Sequence, residues 1–336
     1  MVPFNGTTAP GGAGQEERCV SSLSRLSGVH PILYAFFGPD GRLDRPALER
    51  QVDVCLAAGC HGIALLGLVT EVFRLSTEER LDLVGWAGER IAGRVPLMAT
   101  VAEPTVHGQL DFIAEAKRRG ADWVVLQPPP VKGVSEREVL RFLGAVADRS
   151  PLPVGVQNNP LNMEVSVSNE ALLALHRAHP NIRFMKAEGP AVSVGAFARE
   201  ASKTCDVFAG HGGIEWPTNL RSGCQGLIPA PELVDAQVAV WELWSKGETA
   251  RAEALHRAIL PVVVFMSRSL PLLIAYGKRL MAARMGWPEV HPRLPEAAVT
   301  PFGTEELARF AELLGPLGTM PGAPLSPALR RIAGLD

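Results

Sequence analysis

Only six of the 33 basic residues in this 336-residue chain are lysines, and one of them, Lys186, ends the apolar run Ile182-Arg183-Phe184-Met185-Lys186. Removing an amine from water disfavours its charged form and enlarges the neutral fraction able to attack a ketone. The protonated imine that results draws electrons from the neighbouring carbon and eases proton loss or carbon–carbon cleavage there. Glu188 stands two residues further on, which places it on the same face of a straight strand, as a base or as a group that tunes the amine. The same two residues also satisfy a plainer reading, a strand-end lysine that pairs with a carboxylate or reaches solvent.

Other reactive side chains sit where apolar runs stop. Thr70 and Glu71 follow the second run, Gln127 the fourth, Gln157 with Asn158 and Asn159 the fifth, and His211 with Glu215 the seventh. A carboxamide such as Gln157 does not exchange protons at neutral pH but orients a substrate hydroxyl or a water. Thr70 can bond a substrate carboxylate or only its own backbone. Glu71 reads as structural, accepting from backbone amides in its loop. His211, in Gly210-His211-Gly212-Gly213, is placed either to read a substrate's distal hydroxyls or simply to be solvated, and Glu215 is placed either beside it or at the start of the next helix.

Several chemistries are not indicated. The cysteines, Cys19, Cys55, Cys60, Cys205 and Cys224, are odd in number and scattered, without the close pairs of a zinc site or disulfide framework; free thiols in a reducing cytoplasm are expected, with no metal. No Gly-x-Gly-x-x-Gly follows the first apolar run, so no nucleotide cofactor is expected. The formal charge of -2 gives no broad field for nucleic acid or an anionic membrane. The longest apolar stretches, such as 258–266, fall short of the roughly 20 residues that span a bilayer.

These groups need strands to hold them. Apolar runs rich in Val, Ile and Leu alternate with amphipathic segments, the pattern of buried parallel strands joined by crossover helices. Eight strands are predicted, at 30–35, 62–67, 96–101, 122–127, 153–157, 183–187, 206–210 and 225–229. Eight such units favour an α/β fold, a closed (β/α)₈ TIM barrel with a C-terminal helical appendage, whose catalytic groups project from the C-terminal strand ends. Ser76 with Glu79 forms a capping box opening a helix to about Ile91, and Ser168 caps a helix containing 171–178. Helices are also expected over 232–245, over 249–285 with a break near Pro271, and over 304–314. The domain layout follows: a disordered tail over 1–27, the barrel over 28–246, a helical extension over 247–316 and an irregular tail over 317–336.

The runs Gly28-Val29-His30-Pro31, Phe37-Gly38-Pro39-Asp40-Gly41-Arg42-Leu43-Asp44, Gly67-Leu68-Val69-Thr70-Glu71 continuing to Arg80, Ala92-Gly93-Arg94-Val95-Pro96, Gly120-Ala121-Asp122, Pro128-Pro129 and His179-Pro180-Asn181-Ile182, with Lys186, together resemble the dihydrodipicolinate synthase and N-acetylneuraminate lyase family, in order and spacing from about 28 to 315. The resemblance implies a class I, metal-independent lyase, a homotetramer or homodimer, that takes a small 2-keto acid as an imine on Lys186 and needs no cofactor. It implies Lys186, Gln157 and Glu188 as catalytic residues and Thr70, Val69, Asn158, His211 and Pro229 as the substrate-binding set. Departures bear on the substrate. The family's Gly-Thr-Thr-Gly-Glu loop is Gly67-Leu68-Val69-Thr70-Glu71 here, Gln157 replaces a tyrosine, and Asn162 replaces an arginine that would fork a second carboxylate. All three argue against dihydrodipicolinate synthesis. Thr70, Gln157, Lys186 and Glu188 instead resemble the subgroup of 2-keto-3-deoxy-pentonate dehydratases, such as the L-2-keto-3-deoxyarabonate enzyme. The function expected is a dehydratase or aldolase of 2-keto-3-deoxy sugar acids; the competing reading is a ligand-binding barrel that has lost turnover.

Overall fold

The computed structural model describes residues 25–129, 131, 133–287, 289–322 and 325–335; most of the expected N-terminal tail, residues 1–24, lies outside the described residues. Eight parallel strands run β1 (Gly28–Val29), β2 (Ile63–Leu65), β3 (Leu97–Val101), β4 (Trp123–Leu126), β5 (Val154–Asn158), β6 (Ile182–Ala187), β7 (Asp206–Ala209) and β8 (Gly226–Leu227). Their order in the sheet is β1-β8-β7-β6-β5-β4-β3-β2, and an Ile32–Ala64 bridge joins the first strand to the second, so the sheet closes into a barrel. Crossover helices separate the strands: α1 (Arg45–Ala57), α2 (Thr77–Ile91), α3 (Val106–Arg118), α4 (Glu136–Ala147), α5 (Asn169–Ala178), α6 (Ala191–Ala201), α7 (Trp216–Arg221) and α8 (Val234–Ser245). Apart from the exposed Arg183 on β6 and the half-buried Asn158 at the end of β5, the strands are buried on both faces, as a parallel sheet covered by helices requires.

The first strand departs from its expected span. Backbone bonds to the β8 side run on past Val29, His30 N donating to Leu227 O at 2.9 Å and Ile32 N to Pro229 O at 2.7 Å, but Pro229 has no N–H to return, and regular pairing with β8 is limited to Gly28 and Val29. Beyond it the chain is tied by a side chain: Tyr34 N donates to Gln51 Oε1 at 3.0 Å and Gln51 Nε2 donates to Tyr34 O at 3.0 Å, which replaces a strand partner. The capping box is present, with Ser76 accepting from Glu79 N and Glu79 from Ser76 N, and Ser168 caps α5. Residues 25–27, assigned to the tail from sequence, lie against the barrel: Arg25 Nε donates to Asp206 at 2.7 Å and Leu26 N to the same carboxylate at 2.8 Å.

After α8 the chain leaves the barrel through α9 (Thr249–Met266), turns at Ser267–Ser269, and re-enters a helix through α10 (Leu270–Leu272), a π-turn at Leu273–Gly277 and α11 (Lys278–Met285). The break falls where Pro271 stands, one residue inside a new helix that Ser269 caps. α12 (Pro301–Leu314) starts three residues earlier than expected because Thr300 caps it and Pro301 occupies its first position. The segment expected to be wholly irregular carries a short helix, α13 (Pro327–Ile332), capped by Ser326. No single helix among the described residues is long and apolar enough to cross a membrane.

Candidate active site

On β6 the residues of one face are Ile182, Phe184 and Lys186, as a period of two requires. Phe184 is fully buried and meets Trp123 and Phe208 edge-on, each at 5.8 Å between ring centroids. These rings form an apolar floor in the barrel. Its space is provided by Gly155, the register partner of Phe184 on β5, where any Cβ would fall 2.1 Å from the phenyl ring. One layer higher, Lys186 is 5% exposed and lines a cavity at the C-terminal mouth of the barrel. The amine is therefore neither in bulk water nor sealed from a cavity.

Glu188 continues the same face, with Oε2 3.5 Å from Lys186 Nζ. The same oxygen accepts from Gln157 Nε2 at 2.5 Å, and Oε1 accepts from His211 N at 3.1 Å. Gln157, in register with Lys186, accepts in turn from Gln127 Nε2 at 2.8 Å. Gly210 makes the carboxylate's position possible, since a Cβ there would lie 2.4 Å from Glu188 Cγ. His211 adopts a left-handed backbone, φ 53°, followed by Gly212 at 64° and Gly213 at 78°. A non-glycine residue in that region costs on the order of 1 kcal/mol, and the strain points the His211 amide at the carboxylate.

Six of the eight residues expected from sequence share this cavity: Lys186, Gln157, Glu188, Val69, His211 and Pro229. Thr70 and Asn158 do not line it. The Thr70 hydroxyl is donated to Leu33 O at 2.7 Å, so it braces the first strand segment. The Asn158 amide grips Val167 from both sides, donating to its carbonyl at 2.7 Å and accepting from its N–H at 2.9 Å, and so fixes the loop between β5 and α5. Glu71 is structural as expected, but its partners are side chains rather than backbone amides: Lys278 and Arg74. Glu215 caps α6 by accepting from Ala191 N at 2.8 Å.

The sequence reading missed the serines of the far wall, Ser267 and Ser269, which come from the turn between α9 and α10; Asn159 and Asn162, already marked after the fifth run, join them from the loop after β5. The serines had one available signal, the helix break at Pro271, which marks where the appendage folds back over the mouth. Lys186 is the only lysine or arginine lining this cavity among the described residues. Nor do three or more His, Cys, Asp or Glu side chains gather, among those residues, as metal ligands would.

The sequence matches the dihydrodipicolinate synthetase family over residues 25–314. The chain belongs to this family. As a dihydrodipicolinate synthetase family member it is an enzyme of the lyase type, within a family that is metal-independent and uses a lysine Schiff base. It is 27% identical over 308 residues to an L-2-keto-3-deoxyarabonate dehydratase of Azospirillum brasilense, covering 88% of this chain and 97% of that one. It is 26% identical over 231 residues to a 4-hydroxy-tetrahydrodipicolinate synthase of Bacillus velezensis, covering 68% and 79%. The crystal structure of YagE from E. coli K12, a family protein in complex with pyruvate, superposes with a TM-score of 0.79 at 22% identity, covering 86% of this chain and 98% of YagE. At that identity the likeness shows the fold, a family TIM barrel.

Proposed function

We propose that this lyase acts on a 2-keto-3-deoxy sugar acid through an imine on Lys186, with loss of water as its reaction. The observation that carries the proposal is the buried Lys186 amine at the cavity wall, with the Glu188 carboxylate 3.5 Å away. The carboxylate can take the ammonium's proton as the amine attacks C2 of the substrate; the carbonyl oxygen leaves as water and a protonated imine remains. Glu188 then accepts a proton from C3, whose electrons pass into the imine as an enamine. Return of that electron pair expels the C4 hydroxyl, which leaves as water with the proton held by Glu188. Isomerisation and hydrolysis of the imine release a semialdehyde of unchanged carbon count and free the amine.

Two features favour elimination over cleavage. A base beside the imine nitrogen is close to C3, whereas retro-aldol cleavage needs a base at the C4 hydroxyl, one atom further out. A relative matching over 88% of this chain is named as a dehydratase, while YagE, provisionally named a 2-dehydro-3-deoxy-D-gluconate aldolase, matches over 70% of the chain. The far wall supports an uncharged hydroxylated tail: Asn162, Ser267 and Ser269 offer neutral polar groups, and no second lysine or arginine awaits a second carboxylate among the described lining residues. The test is product analysis with 2-keto-3-deoxy-pentonates and hexonates. Loss of water with the carbon count unchanged is expected, giving a semialdehyde from a pentonate and a diketo acid from a hexonate; pyruvate plus an aldehyde would replace elimination by cleavage. No turnover across the panel, with ligand binding surviving in Lys186→Ala, would leave a non-catalytic barrel.

A further inference from the structure

Three neighbouring strands carry polar side chains at one height. Gln127 follows β4, whose Leu126 pairs with Val156; Gln157 is the next residue on β5 and pairs with Lys186 on β6. The ladder register thus sets Gln127, Gln157 and the Lys186–Glu188 pair in a row. Their hydrogen bonds have a fixed polarity. An ionised carboxylate only accepts, so Gln157 must turn its NH₂ to Glu188 Oε2, at 2.5 Å. Its carbonyl oxygen then faces the opposite way, towards β4, and needs a donor there. Gln127 Nε2 is that donor, at 2.8 Å. Both glutamines are buried, at 4% and 1% exposure, where an unmatched amide is costly.

We propose that Gln127 is a positioning residue: by holding the Gln157 amide in one of its two orientations, it keeps the Glu188 carboxylate aimed at Lys186 and at the carbon next to the imine. Gln127 is not among the described residues that line the Lys186 cavity. Its effect passes through Gln157, and a flipped Gln157 would set a carbonyl oxygen against Glu188. The inference rests on the proposed function in one respect, that Glu188 exchanges the proton at C3.

Pyruvate is the probe, because it separates the two steps. Borohydride trapping of its imine reports on Lys186, whereas exchange of its methyl protons in D₂O, followed by NMR, reports on proton abstraction at C3. In Gln127→Leu, trapping should persist while exchange falls between about 10- and 100-fold, the range expected for a base displaced by a fraction of an ångström to an ångström. In the near-isosteric Gln127→Glu, the donor becomes an acceptor and Gln157 is driven to flip; the acid limb of the exchange–pH profile should move to higher pH. This second variant carries the test if the leucine substitution fails to fold. Once Gln157 is Met, Gln127→Glu should shift the limb no further, since the two residues act as one unit. Natural exchange rates and profiles in both Gln127 variants, or parallel loss of trapping and exchange, would overturn the positioning role while leaving the Schiff-base reading intact. Absence of trapping in the natural protein would instead overturn the Schiff-base reading, and this inference with it.

Discussion

Replacing Glu232 by Gln should stabilise the protein at alkaline pH and do little at acid pH. Glu232 lies just after β8, 4% exposed, and accepts from the Tyr34 hydroxyl at 2.9 Å. Burial pushes its carboxyl up from 4.5 to about 7; its own backbone amide, the Tyr34 hydroxyl and the Arg284 guanidinium pull the other way without cancelling the effect. The folded protein therefore binds this proton more tightly than the unfolded chain. The stabilising contribution is complete below about pH 4.5, is lost as pH rises through about 7, and becomes a constant cost above that. A displacement of this size corresponds to a cost on the order of 3 kcal/mol. Gln cannot ionise, yet its carbonyl oxygen still accepts from Tyr34. Urea unfolding of both proteins at pH 5, 6, 7 and 8 should show a small difference at pH 5 that grows in favour of Glu232→Gln towards about 3 kcal/mol at pH 8. A difference that stays constant with pH, or shrinks as pH rises, would refute the reasoning.

Breaking the buried pair between Lys278, 1% exposed, and Glu71, 4% exposed, should be costly because it leaves the buried carboxylate with Arg74 as its remaining cationic partner. Lys278→Met should lower stability by about 3–5 kcal/mol in denaturant titrations, and adding Glu71→Gln should restore most of the loss. Burial lowers the Lys278 amine's affinity for its proton, and Glu71 opposes that only in part. Burial also pushes the Cys60, Cys205 and Cys224 thiols up to about 12; mass-resolved alkylation at pH 7 should leave these three unlabelled in the folded protein and label them in denaturant. Selectivity follows the lining charge: a 2-keto-3-deoxy acid ending in a second carboxylate should compete at least about tenfold more weakly than one ending in a hydroxymethyl group, a difference of about 1.4 kcal/mol.

What the sequence revealed was what depends on local period. Lys186 and Glu188 fall on one face because strands alternate, and the Ser76–Glu79 box needs only a spacing of three. What it hid depends on partners far along the chain. Thr70 looks like any polar loop residue until Leu33 O takes its hydroxyl, and Asn158 until Val167 takes both ends of its amide. Glu71 pairs locally with Arg74 but finds its second cation, Lys278, 207 positions away, a pairing that no local pattern signals. The strand over 30–35 was misjudged because an apolar run does not show that its partner Pro229, about 200 positions away, has no N–H to return, nor that a glutamine side chain takes the place of a strand partner at Tyr34. Ser267 and Ser269 reach the mouth only because the appendage turns back there, which follows from tertiary packing rather than from their surroundings in sequence.

The central claim is that the Lys186 amine condenses with a 2-keto acid. Mass spectrometry of peptides from protein reduced with borohydride in the presence of pyruvate tests it directly. The peptide carrying Lys186 should gain the mass of one reduced pyruvate, and Lys186→Arg protein should gain none. An unmodified Lys186 peptide under saturating pyruvate, or the same adduct on Lys278 or another lysine, would contradict the account.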